Sequence, residues 1–590
     1  MKKCLFTVGG AVLLFAQVGC PQVVPEPPET FVVNTTADTV DADPGDGFCA
    51  DSDGNCSLRA AIQEANAAGG TELIGLQDNE TYVLTREGAG EDAGVTGDLD
   101  ITSTITLLGR NSIINADNLD RVFDVRADGE LTISDINLRN GRVTDGNGGA
   151  VRNANFLSML NSTISSCVAI GDGASGGALF NDGGTMNVSG TTINESTATR
   201  AGGAIEASGG TTNITACTLT DNDAGPTPGN GGAVHLTGEG NVTIRSCTIL
   251  NNTATSEGGG IWNSAGTMLV QNCEISDNTA SGPAADDGGG AAFNNGGMLT
   301  LEGCTIQGNS ATGEAGSGGG VFNNAGTLIV RNSTLSENSA QRAGGGVEAL
   351  TGTTTLDRVI VTNNTTGNSP GNGGGLHLTG DGDVTVLFSQ IRSNTANAEG
   401  GGLWNSSAGT MTITSTEISD NTASGNDADQ GGGGLFNDGG MMTVAFCNIN
   451  ENMASGTSGS GGGILNNDGT LVVRLTELDG NSASRAGGGI EANIGMTTLT
   501  DVTLNMNSTG DNPGNGGGIH VTGAGEVSYE TGVVTQNDAA SEGGGIWNSA
   551  TGTINAINIL ISINTAPVRP DAFNDGGTFN LNGAAVPVGP

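Results

Sequence analysis

Glu206, His235, Trp262 and Phe293 follow one another at intervals of 27 to 31 residues. The same order returns as Glu348, His377, Trp404 and Phe436, and again as Glu491, His520, Trp547 and Phe573. The tryptophans are 142 and 143 residues apart, so a block has been copied. The blocks hold all three histidines and all three tryptophans of the chain. Exposed indole and phenyl rings stack on sugar faces or fill a protein interface, and Glu and His supply hydrogen bonds. Copied three times, such a face would meet an extended polysaccharide or a cell-surface protein at several points. The competing reading is duplicated scaffold, with neighbours stacking on one another. A Glu/His pair offers two ligands, too few for a metal centre, and none is assigned there.

Other chemistry is sparser. Asp41, Asp43, Asp46, Asp51 and Asp53 crowd one segment and could offer calcium its several oxygens, as could Asp286-Asp287 and Asp427-Ala-Asp429. None has the turn glycine and closing glutamate of an EF-hand, so calcium is the only cofactor considered and no other is expected. A polysaccharide lyase would need a basic residue beside such acids, and a hydrolase would need paired carboxylates. Arg245, Arg331 and Arg474 share a repeat position in well-separated units, and Arg358 and Arg392 sit elsewhere. No catalytic residue is assigned, and enzyme activity is the alternative to binding.

A repeat must position these side chains. Gly-Gly-x-aliphatic, often followed by x-Asn, recurs about 16 times from Gly148 onward, as in Gly259-Gly260-Ile261-Trp262-Asn263. A period of this size marks a stacked solenoid. Within one unit, Ile261–Asn263, Met268–Asn272 and Cys273–Asn278 alternate with period two and read as three strands, with Gly and Asn at the bends. Each strand then pairs in parallel with its counterpart ~4.8 Å along the axis. The expected fold is all-β, a right-handed parallel β-helix. The aliphatic position (Val151, Leu179, Ile205 through to Ile546) is an inward ladder, and the residue after it, the Glu/His/Trp/Phe column, should face solvent. Asn222, Asn252, Asn278 and their successors to Asn564 form a second ladder of stacked amides. Cys217, Cys247, Cys273, Cys304 and Cys447 share one position with Ser333, Ser389 and Thr416, as small buried side chains; Cys167 stands in a different column.

Before the repeats, Leu58, Ala61, Ile62 and Ala65 fall on one face of a short helix, a cap that would hide the end of the core. Cys49 and Cys56 are expected to pair in an oxidising compartment. The run Cys56-Ser-Leu-Arg-Ala-Ala-Ile62 resembles the Cys-Ser-Leu-Arg-Glu-Ala-Ile signature of a bacterial cap domain named for those letters, with Ala60 replacing Glu as a mild change on the helix surface. Gly97-Asp-Leu-Asp-Ile101, Asp120-Arg-Val-Phe123 and Leu131-Thr-Ile-Ser134 also resemble that family, and the repeats are similar to those of polymorphic outer-membrane proteins. The resemblance implies an exported right-handed β-helix and carries little about activity. Those outer-membrane proteins end in a membrane barrel; here a lipid anchor is expected instead.

Residues 1–19 read as a signal peptide: Lys2 and Lys3, then an apolar run, then Gln17-Val-Gly-Cys20, similar to a bacterial lipobox with Cys20 as the lipid-attachment site. Residues 20–30 read as a proline-rich tether, 31–141 as the cap and first coils, and 142–590 as the repeats. The two lysines are the only ones, so beyond the leader 17 arginines face 62 acidic residues, a net charge of −45. That excludes nucleic acid and bare anionic membrane as partners. The expectation is a monomeric outer-membrane or cell-surface lipoprotein, touching the membrane through its lipid only. Its expected work is as an adhesin or a glycan- or protein-binding stalk, with a purely structural spacer as a further alternative.

Overall fold

The computed structural model describes residues 30–589. The leader, Cys20 and nearly all of the tether lie outside the described residues. Beyond them the chain winds into an all-β parallel solenoid of about 18 turns with a single short helix. One coil shows the plan: Ile261–Asn263, Thr267–Gln271 and Glu274–Ser276, then a two-residue strand Thr279–Ala280. The first three kinds of strand belong to a 49-stranded sheet and the fourth to its own 14-stranded sheet. Each pairs in parallel one coil on, Ile261 with Ala292, Met268 with Leu299, Ile275 with Ile306 and Thr279 with Ser310.

The third strand is shorter than the sequence pattern suggests, and the fourth was not expected. Asp277 adopts φ 54°, which ends the extended run and puts Asn278 in the bend; the chain then re-extends over Thr279–Ala280. Short polar residues tolerate that left-handed conformation better than bulky ones do.

The inward residues carry the core. Along Thr267–Gln271, Met268 and Val270 are buried while their neighbours are not, and Ile261 and Ile275 are fully buried. These side chains join one continuous apolar column from Phe31 to Phe579. Each buried Ile or Leu contributes roughly 1.5–3 kcal/mol, so stability accumulates coil by coil.

The asparagine ladder runs unbroken from Asn222 to Asn564. Asn278 Nδ2 donates to Asn309 Oδ1 at 3.0 Å and to the Ile249 carbonyl at 3.0 Å, and its Oδ1 accepts from the Asn252 backbone N–H at 2.9 Å. The members from Asn222 to Asn537 repeat this pattern and Asn564 ends it by donating to Asp571, so removing one amide strands its neighbours' buried groups at a cost of about 1–3 kcal/mol. Cys167 occupies the same bend in an earlier coil: Val168, Thr197 and Asp223 are register partners, and Cys167, Ser196 and Asn222 precede them. The six cysteines of the coils are free and buried. Burial pushes the thiols of Cys167 and Cys447 up to about 12 and about 11, as befits packing residues.

The helix Leu58–Ala68 closes the N-terminal end, with Ser57 accepting from the Ala60 N–H and Gly69 ending it at φ 67°. Leu58, Ala61, Ile62 and Ala65 enter the core. Ala60 is also fully buried, so the substitution at that position is not a surface change. Arg59, 1 % exposed, pairs with Asp38 at 2.6 Å and donates to the carbonyls of Gly94, Gly97 and Asp98. It therefore ties the cap to the turn that leads into the first coils. Cys49 and Cys56 form a disulfide beside the helix.

Candidate functional site

The Glu/His/Trp/Phe column lies on the outer side of the first strand, in register as Glu206–His235–Trp262–Phe293 and likewise in the other two blocks. It does not face solvent. Glu206 is fully buried, His235 is 2 % exposed and Trp262 7 %. Glu348, His377, Trp404, Phe436, Glu491, His520 and Phe573 are buried as well, and Trp547 is half-buried. The expectation of an exposed face is overturned, for a local reason. After the fourth strand the chain folds back over the first strand before entering the glycine motif. The first glycine of that motif sits against the outward side chain: a Cβ on Gly231, at φ 64°, would lie 2.8 Å from the His235 Cβ. Strand alternation separates the two faces, but it does not say what lies on top of the outer one.

The return segment brings partners that complete the site. In the first block, His235 Nδ1 lies 2.7 Å from Glu206 Oε2. Thr237 Oγ1 donates to the other carboxylate oxygen of Glu206, and Arg200, from the covering loop, stands 3.7 Å from it. Arg200 also donates to Ser175 Oγ at 2.9 Å. The His235 ring stacks on Trp262 with centroids 4.2 Å apart, and Trp262 Nε1 donates to Glu257 Oε2 at 2.8 Å. Trp262 in turn packs with Phe293 and Phe322 as an apolar cluster separate from the inner core.

The second and third blocks reproduce this geometry. Arg342 and Arg485 stand 3.7 Å from Glu348 and Glu491. His377 and His520 stack on Trp404 and Trp547 at 4.2 and 4.3 Å, and Glu399 and Glu542 accept from those indoles at 3.0 Å. The arginine, threonine and second glutamate were missed from sequence, although they recur at the same 142–143-residue spacing. The first glutamate, the histidine and the arginine of each block are paired with one another, and Leu465 replaces the last phenylalanine of the cluster in the middle block. The arrangement is suited to clamping loops onto the coil and offers no open catalytic surface.

Burial sets the electrostatics. It pushes the carboxyls of Glu257 and Glu399 up to about 7, against the lowering effect of the indole hydrogen bond. Glu491 is also fully enclosed, yet His520, Arg485 and Thr522 more than offset the desolvation and hold it below the ordinary carboxylate value.

The same column continues into the first coils as Asp100, Asp124, Arg152 and Phe180. There it meets Asp98 and Asp120, giving four buried aspartates. Arg121 lies 2.7 Å from Asp98 and 3.5 Å from Asp124; Arg126 and Arg152 reach Asp124 at 2.9 and 3.2 Å. Burial pushes Asp98 and Asp100 up to about 7 and also raises Asp120, outweighing the guanidinium groups. Asp120 Oδ2 and Asp100 Oδ1 have no hydrogen-bond partner. A cavity of about 350 Å³ opens beside Asp120, lined also by Arg121, Arg142 and Asp145. The sequence held the signal in Gly97-Asp-Leu-Asp100 and Asp120-Arg-Val-Phe-Asp124, two aspartate pairs that share this column's neighbourhood.

The acidic segment near the cap behaves differently. Asp41 accepts from the N–H groups of Asp43 and Ala50, Asp51 from those of Asp53 and Asn55, and Asp46 from that of Phe48. Their oxygens brace their own turns, and no cluster of three or more metal-ligating side chains forms among the described residues. No helix among the described residues is long and apolar enough to cross a membrane.

A family model described as a right-handed β-helix region matches residues 186–366. No curated protein and no solved structure matches the chain.

The raised carboxyls predict an unusual pH dependence. A group whose folded pKa exceeds its unfolded one stabilises the fold below the unfolded value, and that contribution is lost as pH rises through the folded value. For Glu257 and Glu399 the window runs from the ordinary 4.5 up to about 7. Thermal melts should therefore show a higher Tm at pH 5.5 than at pH 8, and Glu257→Gln with Glu399→Gln should flatten the slope. An unchanged slope in the double variant would contradict this assignment.

Proposed function

We propose that this protein is a rigid, non-enzymatic stalk of the cell surface, exported by its leader, held to the membrane through Cys20, and carrying binding faces outward. One observation carries the reading: the parallel ladder is continuous from the cap to the last coils, with no break at which the body could bend. About 18 turns at ~4.8 Å each make a rod of roughly 85 Å. The threefold block lengthens that rod by repetition, since its most elaborate side chains are spent on clamping loops. A net charge of −45 keeps such a rod soluble and apart from its neighbours. An epitope tag placed at the C-terminal end should be read by antibody on intact cells. Cys20→Ser should abolish that signal, and deleting residues 262–403, one block, should weaken it. A tag detected only in permeabilised cells, or staining indifferent to Cys20, would sink the stalk reading.

A second reading rests on the buried aspartates. A carboxyl still protonated near neutrality beside ionised ones is the combination used for general-acid cleavage of a glycosidic bond. Asp98 and Asp100 have that character, and Asp120 of the same cluster lines a cavity of a size to take a sugar residue. On this reading the protein releases new reducing ends from a polysaccharide, and Asp98→Asn lowers the rate at least ~100-fold. Wild-type protein that releases none from a broad polysaccharide panel rules it out.

A further inference from the structure

An exposed feature distinct from the clamped column lies at the turn between the second and third strands. Its residue is in the left-handed conformation in nearly every coil, and it is mostly small or polar: Ser246, Asn272, Asn332, Asp501 and Asn558 have φ between 50° and 59°. Three coils break the pattern with bulky apolar residues, Phe388 at φ 49°, Phe446 at 56° and Leu475 at 48°. Their side chains are not buried in compensation. Phe388 is 56 % exposed and Phe446 60 %. A strained conformation spent on an exposed aromatic is poor scaffold chemistry, and such outliers gather where a molecule is bound.

We propose that Phe388 and Phe446 form a carbohydrate subsite that takes one pyranose ring of an uncharged glycan between them. The two rings spring from equivalent turns two coils apart, with Ser415 at the same turn in the coil between. The small serine leaves a cavity of about 340 Å³ bounded by the two phenyl groups. Two coil rises separate the rings by ~9.6 Å, whereas a flat layer touching both at carbon contact distance needs only ~7–8 Å. The extra width suits a puckered saturated ring rather than a planar aromatic one. Along one wall, Gln390, Glu417 and Asn448 stand in register on successive third strands and line the cavity. Two amides and a carboxylate supply the donors and acceptors that sugar hydroxyls require.

Position and charge narrow the ligand. The Arg358 guanidinium lies 5.3 Å from the centroid of Phe388, from the coil before it, which orients that ring and leaves its other face toward the slot. Arg358 is itself paired with Asp357 at 2.8 Å, so it is not a free anion receptor. Glu417 in the wall and the net charge of −45 both repel a uronate. The subsite relies on the stalk reading only for its location outside the cell.

The test is titration calorimetry on the full chain with neutral gluco-, manno-, galacto- and N-acetylglucosamine oligosaccharides and one oligouronate. At least one neutral ligand should bind saturably. Phe388→Ala with Phe446→Ala should weaken it about tenfold or more, the loss of two ring contacts. Ser415→Phe, which keeps both rings but fills the slot in a conformation its neighbours already accept, should do the same, with circular dichroism unchanged in both. Binding of the uronate alone, no binding by any neutral ligand, or wild-type affinity in either variant overturns the proposal. Binding is read in solution, so a failure of surface display would leave this result standing, and the reverse.

Discussion

Where each coil closes, the backbones of neighbouring coils approach so nearly that no side chain fits. A Cβ on Gly259 would lie 2.4 Å from the Gly290 carbonyl oxygen, and one on Gly290 would lie 2.3 Å from the Gly319 oxygen. This contact governs the rest of the molecule. It lets the returning loop lie flat against the outer face of the first strand, and it passes hydrogen bonds from glycine to glycine up the axis, as from Gly259 to Gly289 and Gly290 to Gly318. A bulkier motif would hold the loop away and expose the column beneath.

The molecule consequently has two cores. The inner one is aliphatic and continuous, sealed at the amino end by the cap helix and flanked by the amide ladder. The outer one comes in pieces, Trp262–Phe293–Phe322 and Trp404–Phe436–Leu465, each bordered by a buried glutamate, a histidine and an arginine from the covering loop. Buried ion pairs add little net stability over apolar packing, but losing one partner is costly. That asymmetry lets them specify which loop lies on which coil in a chain whose coils otherwise look alike. The two raised carboxyls, Glu257 and Glu399, mark where the partners are neutral, an indole N–H and an asparagine amide.

Much of this was readable from residue patterns. Period-two alternation marked the strands, the recurring aliphatic placed Ile261 inside, and the recurrence of Asn every coil identified the amide ladder, because these properties depend on one residue and its stacked copies. The cover over the Glu/His/Trp column was not readable in the same way. Alternation reports only the two sides of a strand, whereas burial of Trp262 depends on a segment some five residues earlier, including Glu257, folding back onto it. The exposed residues Phe388 and Phe446 were hidden for a different reason: a turn between strands has no period that marks it as inward or outward. The buried aspartates at Asp98–Asp124 looked like family signature rather than chemistry until the register joined them to the same column.

Function then moves from the column to what the column supports. A clamped, evenly stacked rod displays its turns at fixed height, and it is on such a turn that exposed aromatics appear. The account stands or falls on whether the outward column is covered, and its three tryptophans are the only ones in the chain. Intrinsic fluorescence of the folded protein, with acrylamide quenching, reads all three at once. Indoles stacked on histidine and closed over by the return loop should emit to the blue of free tryptophan and resist quenching until the chain is unfolded. Emission and quenching equal to those of the unfolded chain would contradict the account.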